Sequence, residues 1–255
     1  MHRLPLSLLL TLLLGAPAWG SDIGLTPPRL LLSAPAGGTV TATFSVLTSA
    51  ATEQSVEAAL SDWFLDVAGD LTFLAPGTLP GSAAGWLALE SDAFVLDPTS
   101  SRELRLEVAV PPDAEGTHHA IVFFTVVPPS NESTGVGVTT TTRVGLTVYV
   151  TVTGTERSGS ELVDLYQPGE ATLAAVVVNT GNTVMRLGGA VEIRDEAGDV
   201  VRSLPVPDVP VLRESEREVR FALPDDLEPG FYVVLALIED DRGGLLAGEL
   251  TIEVP

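Results

Sequence analysis

Residues that could carry out catalysis are scarce in this sequence. Cysteine is absent, and the three histidines are His2 and the adjacent pair His118 and His119. Neighbouring residues of a strand point to opposite faces of a sheet, so the pair cannot act together on one substrate. No Gly-x-Ser-x-Gly segment, which would present a nucleophilic serine on a sharp turn, is present either. We therefore predict no catalytic residues.

The histidine pair has two interpretations. His118 follows Gly116 at the start of a predicted strand, which favours a corner residue, with His119 as its exposed neighbour. The alternative is a metal ligand or a pH-sensitive group, because histidine binds metals and titrates near neutral pH.

Metal and cofactor sites are also poorly supported by the sequence. Acidic residues cluster at Asp225-Asp226 and at Glu239-Asp240-Asp241, both at ends of predicted strands. Calcium needs six to eight oxygens from a defined loop, and the Asp-x-Asp-x-Asp-Gly pattern is missing, so a weak calcium site is only an alternative. The glycines of Gly135–Val138 do not lie between a strand and a helix, as a phosphate-binding loop requires. We predict no metal, no cofactor and no enzyme activity.

The charge of the chain argues against two classes of partner. All 13 basic residues are arginine, and they face 34 acidic residues, which gives a net charge of −21. Nucleic acids and anionic membrane surfaces would be repelled, so we predict neither as a partner. A basic protein would be attracted, although high solubility is the simpler interpretation of this charge.

The N-terminus has the three parts of a secretory signal peptide. A basic start at Met1–Arg3 is followed by the mainly apolar Leu4–Leu14 and by small residues at Ala18 and Gly20. The apolar run is shorter than the roughly 20 residues of a membrane span. We predict a signal peptide over residues 1–20, export to the periplasm or the extracellular space, and no membrane insertion after cleavage.

The rest of the chain has the pattern of β-strands. Thr39–Val46 and Glu103–Val110 alternate between apolar and polar residues, and similar segments are separated by Gly, Pro, Asn and Asp. No long stretch combines a helical period with caps at both ends. We predict an all-β protein with two immunoglobulin-like β-sandwich domains after the signal peptide.

The length of the mature chain suits two domains, and the boundary is short and polar. The segment Gly154–Ser160 follows a long Thr/Val strand and precedes a new strand from Glu161. We predict a first domain over residues 21–153, a linker over 154–160 and a second domain over 161–255. Because the linker is short, we expect a hinge rather than a flexible tether.

The two halves repeat several features in the same order. Asp66–Asp70 and Asp195–Asp199 share an Asp-x-Ala-Gly-Asp pattern that predicts hairpin turns, with glycine at a positive φ. Tyr232 follows Pro229-Gly230 at the start of a strand, where a sandwich places a tyrosine whose hydroxyl bonds back to the chain. The repeat indicates one sandwich topology used twice.

Two aromatic residues of the first half have structural interpretations. Trp86 lies in a Pro/Gly-rich addition, Ala75–Phe94, for which we predict a loop with a short edge strand. Trp63 lies near the end of a predicted strand, and we expect it to pack in the core between the two sheets.

The first domain, from about Asp22 to Val152, resembles the N-terminal domain of the PapD-like periplasmic chaperones of pilus assembly. The matching segments are Arg29–Leu32 followed by Gly37, Ser61–Trp63 with the Gly69 turn, Phe94–Pro98, His119–Pro129 and Arg143–Tyr149. The resemblance implies that an Arg of the first strand and a Lys of the last bind the C-terminal carboxylate of a subunit. It also implies that the strand before that Lys pairs with the subunit and completes the subunit's unfinished sandwich.

Carried onto this sequence, the resemblance makes Arg29 the first cation of the carboxylate clamp. The Lys position falls on Gly145, and Arg143, two residues earlier on the same face, is the candidate replacement. Val136 and Val138 are the candidates for strand pairing, although Thr139–Thr142 replaces the large alternating apolar residues of that family. Surface or interdomain salt bridging is the alternative role for both arginines.

Two functional hypotheses follow from these residues. The first is an exported chaperone-like protein that binds secreted or surface subunits of a pilus or coat type by strand addition. The second is a structural or adhesive module of the bacterial cell envelope without chaperone activity. It is favoured by the two-fold repeat, the acidic charge and the absence of Lys, and the segment Asn179–Asn182 of the second domain resembles bacterial adhesion-type Ig repeats.

Overall fold

The computed structural model describes residues 23–128 and 141–255, and nearly all of its regular structure is β. The first domain, within the described residues, contains ten strands. They are β1 (Ile23–Thr26), β2 (Arg29–Ala34), β3 (Thr39–Thr48), β4 (Gln54–Leu65), β5 (Leu71–Leu74), β6 (Leu87–Leu89), β7 (Ala93–Leu96), β8 (Ser101–Ala109), β9 (Gly116–Val127) and β10 (Arg143–Val152).

These strands form two facing sheets. The first sheet has the order β1-β3-β8-β6, and the second has the order β2-β10-β9-β4-β5 with β7 also beside β4. The alternation in Glu103–Val110 directs Leu104, Leu106 and Val108 into the space between the sheets, where all three are buried. Phe124 of β9 packs against Phe44 of β3 in the same core, with ring centroids 5.6 Å apart.

The second domain repeats this arrangement with eight strands. They are β11 (Ser160–Gly169), β12 (Thr172–Asn179), β13 (Met185–Arg194), β14 (Val200–Pro205), β15 (Pro210–Val211), β16 (Glu216–Ala222), β17 (Gly230–Asp240) and β18 (Leu245–Val254). One sheet has the order β11-β12-β16, and the other has the order β14-β13-β17-β18 with β15 beside β13. The predicted fold class of two immunoglobulin-like sandwiches is confirmed.

The repeated turns have the predicted geometry. Gly69 and Gly198 have φ values of 90° and 86°, and each follows an aspartate whose Oδ1 accepts a hydrogen bond from the amide four residues later. The Tyr232 hydroxyl donates to the Glu228 carbonyl oxygen at 2.8 Å. The predicted edge strand of the 75–94 segment is β6, which follows a short 3-10 helix, Ala84–Trp86.

Trp63 does not lie in the sandwich core, and that expectation was wrong. Its side chain is on the outer face of the second sheet, where it packs with Tyr149 and with Leu212 of the second domain. His119 belongs to the same interdomain cluster and is 4% exposed, so the prediction of an exposed neighbour to His118 was also wrong. A single sequence does not reveal that a sheet's outer face is covered by another domain.

The segment between the domains is held by a network centred on Asn182. The Asn182 side chain accepts from the Arg157 amide at 2.7 Å and donates to the Thr155 carbonyl at 2.9 Å. Its own carbonyl accepts from the amide of Thr117 in the first domain at 2.8 Å. These bonds connect the segment to both domains at one buried residue.

A second contact joins the domains through the Gly69 hairpin. The Glu218 amide of β16 donates to the Val67 carbonyl at 2.7 Å, so the hairpin of the first domain covers part of the edge of β16. The Arg217 guanidinium occupies the space in which a side chain at Gly69 would lie. The two domains are therefore fixed relative to each other at two separate places.

Candidate functional site

The second sheet of the first domain has an edge that is only partly covered. β2 pairs with β10 in parallel, but the pairing begins where Arg29 lies beside Thr147. Residues 143–146 of β10 extend beyond β2, and on this side no strand pairs with them among the described residues. We call this stretch of β10 the open edge.

The backbone groups at the open edge can be assigned from the strand's alternation. The Thr147 amide points toward β2, since it donates to the Pro28 carbonyl at 3.2 Å. Amide and carbonyl directions alternate along a strand, so those of Gly145 and Arg143 point to the same side as those of Thr147. The open edge therefore presents hydrogen-bonding groups that an added strand could use.

Arg29 is placed beside this edge by the start of β2. It is exposed, and it lies on the outer face of the sheet together with Thr147, since paired residues of neighbouring strands point the same way. Arg29 also lines a cavity of about 220 Å³ between the two domains, which we call the cleft cavity. Its lining residues are Arg29, Leu31, Leu32, Ser33, Thr117, Tyr149, Thr151, Val184, Arg186, Asp241 and Arg242.

Arg143 lies on the same face as Arg29 but is not adjacent to it. Arg143 is four positions before Thr147 on β10, roughly 13 Å away along the strand. The Arg143 guanidinium stacks on the Phe123 ring, with its carbon 3.3 Å from the ring centroid. The structure thus does not bring the two clamp candidates, Arg29 and Arg143, together at one point.

Gly145, where the resemblance predicts a lysine, is surrounded by the side chains of β9. A Cβ at Gly145 would lie 2.6 Å from Ile121 Cδ1 and 3.2 Å from Phe123 Cε1. Phe123 is the direct partner of Gly145 across the β9–β10 ladder. The absence of a side chain here leaves the Phe123 ring accessible to Arg143.

An apolar surface lies on the outer face of the same sheet, at β5, which is separated from β10 by β4 and β9. Phe73 of β5 is 43% exposed and packs edge-on against Phe123, with ring centroids 4.9 Å apart. Leu71 lies on the same face of β5 and is 51% exposed. A strand added at the open edge would lie next to β10, so Phe123 of the neighbouring β9 is the aromatic residue of this surface that is nearest to it.

The cleft cavity contains cations that the sequence did not single out. Arg186 of β13 donates to Asp208 Oδ1 at 2.5 Å, and this bond lowers the pKa of the Asp208 carboxyl. Burial raises the pKa of the Tyr149 phenol, while the nearby charges of Arg29 and Arg186 act in the opposite direction. The cavity is therefore lined by one arginine of the first domain, two of the second, and Tyr149.

The histidine pair is part of the domain joint rather than of the cleft cavity. Arg213 Nη1 of the second domain donates to His118 Nε2 at 3.2 Å and to the Glu115 carbonyl at 3.1 Å. His119 Nε2 donates to the Trp63 carbonyl at 2.9 Å. Burial is the main cause that lowers the pKa of both imidazoles below their usual range, which favours neutral rings.

In the acidic cluster Glu239–Asp241, Asp240 has a structural role. Asp240 Oδ1 accepts from the amides of Arg242 and Gly244, which closes the β17–β18 turn. Across residues 23–128 and 141–255, no three His, Cys, Asp or Glu side chains converge as a metal site would need. Within the same ranges, no helix has the length and apolar character needed to cross a bilayer.

Some of the predicted features lie outside the described residues. These are the signal peptide over residues 1–20 and the strand-pairing candidates Val136 and Val138. The open edge described above begins just after the second of these regions.

Comparison with known proteins identifies the fold. No protein-family model matches the chain, and no curated protein matches its sequence. Among solved structures, a fimbrial chaperone described as the class 5 fimbriae chaperone CfaA aligns with a TM-score of 0.52 and 12% identity, covering 91% of this chain and 98% of that one.

A chain from a chaperone–tip adhesin complex of CFA/I fimbriae biogenesis aligns equally well. Its TM-score is 0.52 at 11% identity, with 91% of this chain and 98% of that chain covered. The protein therefore has the two-domain fold of PapD-like fimbrial chaperones, which confirms the resemblance that the sequence indicated.

Proposed function

We propose that this protein is an exported chaperone that binds subunits of a surface or pilus-like assembly by strand addition at the open edge. The observation that carries the proposal is the overhang of β10 beyond β2, with Arg29 at the point where the pairing begins. An extended segment of a subunit could continue the sheet there through main-chain hydrogen bonds.

Arg29 is positioned to bind the C-terminal end of the added strand. Arg29 is exposed and lines the cleft cavity, and a guanidinium binds a carboxylate through two parallel hydrogen bonds. A subunit whose C-terminal carboxylate occupied the cavity would have its preceding residues directed along β10. The carboxylate would thus fix the register in which the strands pair.

Arg143, which is stacked on Phe123, is the second residue that supports binding of an added strand. In this proposal the Arg143 guanidinium, held on the Phe123 ring, contacts the subunit's backbone or an acidic side chain rather than its chain end. Val136 and Val138 would extend the pairing surface upstream of Arg143.

The test is recovery of bound subunits from the periplasm of the source cells. The tagged full-length protein is isolated after crosslinking, beside an Arg29→Glu variant and an Arg105→Glu variant. Arg105 is an exposed arginine on the first sheet of the same domain, so it matches the change in charge. We expect exported, β-rich subunits with the wild type and with Arg105→Glu, and at least a tenfold loss with Arg29→Glu.

Two results would contradict the proposal. Equal recovery of subunits by the Arg29→Glu variant would exclude Arg29 from binding. Stable residence of the protein in the cell-surface fraction, with no subunit crosslinked in the periplasm, would instead favour the structural or adhesive envelope module.

A further inference from the structure

The cleft cavity is built from both domains, and its cations come from both. Arg29 is on β2 of the first domain, while Arg186 is on β13 of the second. Tyr149 lines the same cavity. Arg29 of the first domain, Arg186 and Arg242 of the second, and one carboxylate, Asp241, thus border a space that is large enough for a chain end.

Arg186 is anchored in a way that leaves part of its guanidinium available. Nε donates to Asp208 Oδ1 at 2.5 Å, and Nη2 donates to the Asp208 carbonyl at 2.9 Å. These contacts fix the plane of the guanidinium on one side and leave Nη1 for a ligand. The Asp208 carboxylate is mostly exposed, so it neutralises Arg186 less than a buried partner would.

Arg143 is poorly placed to be the second cation of a carboxylate site at Arg29. It is four residues from the level of Arg29 along β10, and its guanidinium is stacked on Phe123. Gly145, which lies nearer to Arg29, has no side chain to offer. The first domain therefore supplies a single cation to the cavity among the described residues.

We propose that Arg186 is the second cation of the carboxylate site, so that the bound chain end bridges the two domains. This inference rests on the proposed function, because it assigns the ligand of the same cavity. The lining also includes Leu31, which is 73% exposed beside Arg29, and Val184 of the second domain. The ligand class is therefore a polypeptide C-terminus with an apolar last residue.

The test uses a small carboxylate and its neutral amide. N-acetyl-leucine and N-acetyl-leucinamide are titrated into the ¹⁵N-labelled mature protein, and the Nε–Hε signals of the arginines are followed by NMR. We expect the carboxylate, but not the amide, to shift the signals of both Arg29 and Arg186. Arg186→Gln should weaken carboxylate binding on the order of tenfold, the loss of one charge-assisted hydrogen bond.

Two further variants separate a direct role from a structural one. Asp208→Asn removes the charge that competes for Arg186, so it should tighten carboxylate binding several-fold. Arg220→Gln removes an exposed arginine of β16 that is paired with Glu218 outside the cavity, and it should leave the affinity unchanged.

The outcomes distinguish this inference from the proposed function. If Arg29→Glu abolishes carboxylate binding while Arg186→Gln leaves it unchanged, only the role of Arg186 is overturned. It is also overturned if Asp208→Asn has no effect, or if Arg242→Gln rather than Arg186→Gln weakens binding. If Arg29→Glu has no effect on carboxylate binding, the carboxylate contact of the proposed function fails as well.

Discussion

At the scale of single residues, Arg29 could be identified as a binding residue from the sequence, whereas Arg186 could be identified only from the structure. Arg29 stands before three apolar residues in a segment that resembles a known first strand, so the sequence alone made it a candidate. Arg186 stands in no such pattern. It enters the cleft cavity because the second domain is held against the first, and that placement depends on contacts between residues far apart in the chain.

The histidine pair predicts a dependence of stability on pH. The folded protein holds both imidazoles with a lowered pKa, chiefly because they are buried, and the charge of Arg213 adds to the effect at His118. Unfolded histidines take up protons near the ordinary value of 6.5, before the folded ones do. The contribution of the two histidines to the free energy of unfolding should therefore be complete above about pH 6.5. Below that pH the free energy of unfolding should decrease, by up to about 1.4 kcal/mol per pH unit per histidine.

The carboxyl groups that have a lowered pKa should not contribute to the loss of stability between pH 7.5 and 5.0. The pKa of Asp208 and of Asp226 is lowered by hydrogen bonds from arginine, so their stabilisation is lost only as the pH falls below the ordinary value of 3.8. Urea unfolding at pH 7.5, 6.0 and 5.0 isolates the histidines. The change in the free energy of unfolding per pH unit should be smaller in His118→Gln than in the wild type. A free energy of unfolding that stays constant between pH 7.5 and 5.0 in the wild type would contradict the lowered pKa of the two histidines.

At the scale of elements, the two matching hairpins allow a controlled test of the domain joint. Gly69 and Gly198 occupy equivalent turns at positive φ, so alanine at either should introduce a similar strain of about 1–2 kcal/mol. Only at Gly69 would the new methyl group also collide with Arg217 of the other domain. We expect Gly69→Ala to lower the free energy of unfolding by more than Gly198→Ala.

The same pair of variants should differ locally as well as in stability. Exchange of the Glu218 amide, which donates to the Val67 carbonyl of the hairpin, should quicken in Gly69→Ala and stay unchanged in Gly198→Ala. Equal losses of stability together with unchanged exchange at Glu218 in both variants would show that the Arg217 contact does not support the domain joint.

Strands and turns were the most predictable elements of this protein. The alternation in Glu103–Val110 fixed which side chains of β8 face the core, and the Asp-x-Ala-Gly-Asp segments formed the expected turns. Trp63 was predicted in the sandwich core and His119 at the surface, but both lie between the domains. A residue on a strand can be buried by the opposite sheet or by a neighbouring domain. Local pattern cannot distinguish these two environments, since both remove the side chain from water.

At the scale of the whole molecule, the function that we propose depends on the arrangement of the two sandwiches. Asn182 joins the linker to both domains, and the Gly69 hairpin adds a second contact, so the cleft cavity keeps residues of both domains together. The repeat and the turn spacing predicted two sandwiches. They could not predict the cleft, because its geometry is set by long-range hydrogen bonds rather than by the composition of the linker.

The central claim is that a subunit adds a strand at the open edge of β10, and hydrogen exchange measures this directly. The complex recovered from the periplasm and the free protein are compared by mass spectrometry over residues 141–147. The β14 edge at residues 200–205 serves as the control. The account predicts that exchange in 141–147 slows roughly tenfold or more in the complex while 200–205 is unchanged. Unchanged exchange in 141–147 in a complex that is protected elsewhere would contradict it.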